Sequence, residues 1–62
     1  YIISENILQI NSENIQKMQL WDINGKLLSQ SLGNRIFIPK TKGVFFVHAE
    51  SLFEVVSIKI LR

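Results

Sequence analysis

The chain has 62 residues, 47% of them hydrophobic, with seven basic against five acidic side chains and a formal net charge of +2. That length supports one small domain, burying about 60% of the surface its unfolded chain exposes, and the apolar content excludes a disordered tail. The sequence has no Cys, which excludes a disulfide framework and a thiolate metal site, and the scattered basic residues give no charge-based case for nucleic-acid binding.

Tyr1-Ile2-Ile3 is a short apolar run with no basic n-region before it, so the chain is expected to be a fragment or mature domain cut from a longer protein. No apolar run approaches the roughly 20 residues that span a bilayer. Ser4-Glu5-Asn6 breaks the first run and Ile7-Leu8-Gln9-Ile10 resumes it, with Leu8 and Ile10 on one face; one first strand is expected here. Asn11-Ser12-Glu13-Asn14 reads as a connection, with Glu13, like Glu5, a solvated loop charge.

From Ile15 a helix and a strand compete. The strand is favoured, placing Met18, Leu20 and Asp22 on one face and Gln19, Trp21 and Ile23 on the other. The run meets Asn24-Gly25 after only about ten residues and then continues as Lys26-Leu27-Leu28-Ser29-Gln30, as a hairpin would. Gly25 can adopt a left-handed conformation there, and the Asp22 carboxylate can bond into the turn backbone.

Ser31-Leu32-Gly33-Asn34 is the next break. Arg35-Ile36-Phe37-Ile38 follows as a strand with Ile36 and Ile38 on one face, and Pro39 ends it because proline lacks the ladder N–H. Lys40-Thr41-Lys42-Gly43 supplies a turn. Val44 to Ala49 carries apolar groups on both faces, Phe45, Val47 and Ala49 opposite Val44, Phe46 and His48, and is expected to be a central strand. Glu50-Ser51-Leu52 connects to a last strand from Phe53 to Leu61, with Val56, Ile58 and Ile60 on one face. Short strands joined by tight turns predict an all-β, antiparallel meander or sandwich occupying residues 1–62 as one domain.

The chemistry-bearing residues are sparse. His48 is the single histidine, with Glu50 two positions on along the strand face; a general base needs a nucleophile or an orienting partner, and a half-exposed strand residue is the better reading. The carboxylates Glu5, Glu13, Asp22, Glu50 and Glu54 show no acid/base or metal spacing. No enzyme, cofactor or metal is expected. Trp21 and Phe45 could line a ligand surface, but in so small a domain they are expected in the core. Arg35, Lys40 and Lys42 could meet an acidic partner or an anionic glycolipid, although solubilising charge around a turn accounts for them more simply.

Three ordered blocks carry a family resemblance. Ile15 to Leu28, with its aspartate, glycine-lysine turn and flanking strands, Ile38-Pro39-Lys40-Thr41-Lys42-Gly43-Val44-Phe45-Phe46-Val47, and Ile58-Lys59-Ile60-Leu61-Arg62 resemble the C-terminal sorting domains of proteins exported by the type IX secretion system of Bacteroidetes. The chain departs from that pattern at His48, where a basic residue is common, and at Leu52-Phe53, in a loop usually more polar. The resemblance implies an immunoglobulin-like β-sandwich that serves as a non-catalytic export signal on an N-terminal cargo domain. It implies recognition by the outer-membrane machinery and cleavage by a sortase-like protease, with passage through the periplasm to the medium or cell surface. By position it assigns motif roles to Asp22, Gly25, Lys26, Pro39, Gly43, Phe45, Lys59 and Arg62. A structural or adhesive immunoglobulin-like module, packed against a neighbouring domain, is the alternative. The bare strand edges of so small a domain further predict edge-to-edge pairing into a dimer.

Overall fold

Alternation of side chains along Ile15–Asp22 and Val44–Ser51 sets the architecture, because each presents one apolar row inward: Met18 and Leu20 from the first, Phe45, Val47 and Ala49 from the second, all buried. The computed structural model describes residues 1–12 and 14–62, so the expectation for Glu13 lies outside the described residues. The strands are β1 (Ile2–Ser4), β2 (Ile7–Gln9), β3 (Ile15–Asp22), β4 (Leu27–Leu32), β5 (Arg35–Phe37), β6 (Val44–Ser51) and β7 (Val55–Leu61). They form two antiparallel sheets, one three-stranded in the order β1-β2-β5 and one four-stranded in the order β4-β3-β6-β7.

One core is shared between the sheets. Leu8 of β2, Ile36 of β5 and Ile38 join Met18, Leu20, Phe45, Val47, Ala49 and Ile60 of the four-stranded sheet in a single buried cluster, with Ile10, Ile15 and Ile58 packed against it. β6 is central, flanked by β3 and β7, as its two apolar faces predict. Between β4 and β5 the chain changes sheets within two residues. Gly33 N–H still bonds Gln16 O at 2.9 Å, while Asn34 O accepts from Ile10 N–H at 2.9 Å and its side-chain amide donates to Ile10 O at 3.0 Å. Gly33 makes this step at φ 93°, a conformation that a side chain would strain.

Three expectations need correction. The N-terminal segment is two strands, not one: Ser4 pairs with Ile7 around Glu5-Asn6, which sit at φ 51° and 71° as a two-residue hairpin loop of primed type demands. Asparagine tolerates that region well, and the three-residue segments on each side, Ile2-Ile3-Ser4 and Ile7-Leu8-Gln9, were long enough to pair. Phe53 lies in the β6–β7 turn and not in the last strand. Ser51 N–H donates to Glu54 O at 2.9 Å, and Ser51 Oγ accepts from the N–H groups of Phe53 and Glu54 at 3.2 and 3.1 Å, so the serine side chain closes the turn and β7 begins at Val55. Trp21 is half-buried on the outer face of its sheet and is absent from the core, since the pleat gives the inward positions of β3 to Met18 and Leu20.

The core accounts for stability in a domain with so little interior. Leu20→Ala should therefore cost about 2–5 kcal/mol in urea denaturation, against a change within about 0.5 kcal/mol for Leu32→Ala, whose side chain on β4 is 87% exposed.

Candidate recognition surface

The β3–β4 hairpin is built around a single carboxylate. Asp22 N–H donates to Lys26 O at 3.0 Å and Gly25 N–H to Asp22 O at 3.1 Å, leaving Ile23, Asn24 and Gly25 as the loop. Asp22 Oδ1 accepts from the N–H groups of Asn24 and Lys26, both at 2.9 Å. Two loop amides that would otherwise need water are thus satisfied from within. Gly25 sits at φ 81° with no atom within 4 Å of where a Cβ would be, so its requirement is conformational and not steric crowding.

Register brings the motif positions to one end of the molecule. Asp22 is opposite Phe45, which is opposite Ile60; one step further Val44 faces Leu61, and Gly43 and Arg62 then exchange two backbone hydrogen bonds at 2.9 and 3.0 Å. The hairpin tip, Gly43 and Arg62 therefore share one end of the four-stranded sheet. Asn6 ties the other sheet to the same end: its carbonyl accepts from Ile38 N–H at 2.7 Å, and its side-chain oxygen accepts from Arg62 Nη2 at 3.1 Å. Pro39, Lys40 and Lys42 lie on the chain strung between Ile38 and Gly43. Phe45 is buried beneath this end, and Lys59 is exposed one row in, opposite Phe46. Arg35 is not part of the group; it lies farther along β5, opposite Gln9.

The result is a basic end. Lys26, Lys40, Lys42, Lys59 and Arg62 are exposed there, and the acidic residues nearby are Glu5 and Asp22, the latter engaged with the hairpin backbone. Asn6 is the participant that sequence reading missed. Its signal was available in the Glu5-Asn6 pair between two apolar-rich segments, but its link to Arg62 spans most of the chain and has no local trace.

On the outer face of the same sheet, Trp21, Ile23, Phe46 and His48 line a shallow cleft of about 350 Å³. The Trp21 and His48 rings meet at 6.0 Å between centroids, tilted by 39°. Trp21 Nε1 is buried without a hydrogen-bond partner among the described residues. Glu50 shares the strand face with His48 but directs its carboxylate to Lys17 Nζ at 3.4 Å, so the two are not arranged as base and orienting acid. Among the described residues no group of three or more His, Cys, Asp or Glu could hold a metal ion.

Comparison with protein-family models, curated proteins and solved structures finds no match to this chain.

The hairpin makes two stability predictions that chemical denaturation can check. Gly25→Ala should destabilise by about 1–2 kcal/mol, the penalty of a left-handed alanine, with no steric contribution. Asp22→Ala should lose about 1 kcal/mol, because the exposed Asn24 and Lys26 amides exchange their shared acceptor for water, whereas Asp22→Asn, which keeps a side-chain carbonyl, should lose less.

Proposed function

We propose that the chain is a non-catalytic sorting and recognition module, a folded tag of the type IX kind that an outer-membrane receptor reads on an N-terminal cargo. The observation that carries this reading is the convergence of the motif positions. Asp22, Gly25 and Lys26, then Pro39 and Gly43, then Arg62 come from three separate blocks of sequence, yet hydrogen bonds and register gather them at one exposed basic end. A receptor that contacts this end reads all three blocks at once, and it can do so only when the domain is folded. Recognition and a folding check are then one event. Lysine and arginine at this rim suit a partner that is acidic or presents anionic groups, which they would steer and orient.

The strand order supports an immunoglobulin-like sandwich as the scaffold. The first, second and fifth strands share one sheet and the third, sixth and seventh the other, as in immunoglobulin domains, with the fourth strand placed beside the third. A structural or adhesive module of the same architecture is the second reading. It is favoured by Tyr1, Ile2 and Phe37, apolar side chains left exposed at the three-stranded sheet, which a neighbouring domain would cover.

Fusion of the chain to the C-terminus of a periplasmic reporter, in a host that carries the type IX machinery, separates the two. The sorting reading expects the reporter outside the cell, a loss of export with Leu20→Ala, and a several-fold loss with the folded double variant Lys42→Glu, Arg62→Glu. A reporter retained in the periplasm with the domain folded would overturn it and favour the structural module.

A further inference from the structure

Four strands bound the two sheets, and they differ in what they offer a partner. β1 and β5 are three residues each, and β5 runs into Pro39. β4 is interrupted by a register shift beside Trp21, where Leu27 and Leu28 crowd one position. A bulge, a proline or brevity each weaken an edge as a pairing template. β7 has none of these: seven residues, Val55–Leu61, pair with β6 in unbroken register.

The free side of β7 can be assigned from the ladder. Gly43 and Arg62 exchange both of their backbone hydrogen bonds, and Ser51 N–H bonds Glu54 O. In an antiparallel pair such sites alternate, so Val56, Ile58 and Ile60 direct their N–H and C=O groups to β6, whereas Val55, Ser57, Lys59 and Leu61 direct theirs to the open edge.

The sequence of this strand reads the same way in both directions by polarity: Val55-Val56-Ser57-Ile58-Lys59-Ile60-Leu61, flanked by Glu54 and Arg62. We propose that β7 is a self-complementary edge that pairs antiparallel with β7 of a second copy about a two-fold axis through Ile58, joining two four-stranded sheets into one of eight strands. In this register Ile58 meets Ile58 of the second copy, Val56 meets Ile60, Val55 meets Leu61 and Ser57 meets Lys59. Glu54 falls opposite Arg62 at both ends, so unlike charges close the interface. All four edge-facing residues meet edge-facing residues, giving about eight new backbone hydrogen bonds, with the Ile58 pair at the closely spaced position between them. The pairing keeps the inner row against the inner row, as the pleat requires. Shifting the axis to Lys59 would set like charges against each other, and shifting it to Ser57 would put Val55 against Lys59 and leave Glu54 without a counter-charge. Val55 and Leu61, 62% and 72% exposed in the single copy, lie on the outer face and pack across the join.

Position 57 tests the register without touching the core, because Ser57 is exposed and lies on the outer face. Ser57→Lys sets two like-charge pairs against Lys59 across the axis, and Ser57→Glu sets two opposite-charge pairs. Sedimentation equilibrium of the 62-residue chain should show a monomer–dimer equilibrium, with Kd raised about tenfold by Ser57→Lys and lowered by Ser57→Glu, the latter effect fading with salt. Amide exchange followed by NMR should show protection of the Val55, Ser57, Lys59 and Leu61 N–H groups rising with concentration, a readout that needs no variant. A chain that stays monomeric at millimolar concentration would overturn the proposal. So would a dimer whose Kd is indifferent to both substitutions, or one in which those four amides stay unprotected, since the contact would then lie elsewhere.

Discussion

The whole arrangement depends on β6, whose pleat must satisfy two neighbouring strands and the shared core at once. Phe45, Val47 and Ala49 sit in the core to which both sheets contribute, while its backbone holds β3 on one side and β7 on the other. A slip of one residue would turn Val44, Phe46 and His48 inward and carry Met18, Leu20 and Ile60 out of register with the core. Because β3 and β7 take their positions from β6, so do the features that matter at the surface: the hairpin tip, the Gly43–Arg62 ladder end and the free edge of the last strand.

This dependence explains what could be read in the sequence and what could not. Alternation is local, so Met18 with Leu20, Ile36 with Ile38, and Phe45 with Val47 were legible as sharing a strand face, though not which face turns inward, and the apolar groups on both faces of β6 placed it centrally. Turn chemistry is also local, and Asp22 with Gly25 announced the hairpin. Which strands share a sheet is not local. The chain leaves the four-stranded sheet at Gly33 and joins the other through Asn34 and Ile10, a contact that spans much of the sequence. Trp21 illustrates the same limit. Its size argued for the interior, but the parity of β3 sends it outward, and parity outranks size when both inward neighbours already fit.

The candidate site was legible as parts and not as a place. Each motif block had a turn or strand rationale of its own, and none of those rationales required the blocks to meet. Their meeting follows from antiparallel register, which sets Asp22 beside Phe45 and Gly43 beside Arg62, and from Asn6, which binds both Ile38 and Arg62. Asn6 is held at positive φ by the β1–β2 loop. A local backbone requirement thus supplies a long-range tie between the sheets, and Arg62 is oriented by a residue near the other end of the chain.

The two faces of the four-stranded sheet carry different burdens. Its inner face supplies most of the core, whereas its outer face runs from Leu27 through Trp21 and Phe46 to Lys59 in one row across the strands. Such a row stiffens the sheet through cross-strand contacts between large side chains. It does so with the Trp21 indole N–H covered and without a hydrogen-bond partner among the described residues, where a buried donor left unpaired costs on the order of 1–3 kcal/mol. In a domain with so small a core that is a large concession, and an aromatic brace across β3 and β6 is the compensation on the same face. The brace spans the pair of strands that carries the hairpin at the basic end. Rigidity there keeps Asp22, Lys26 and Gly43 in fixed relation, which is what a surface assembled from distant blocks requires.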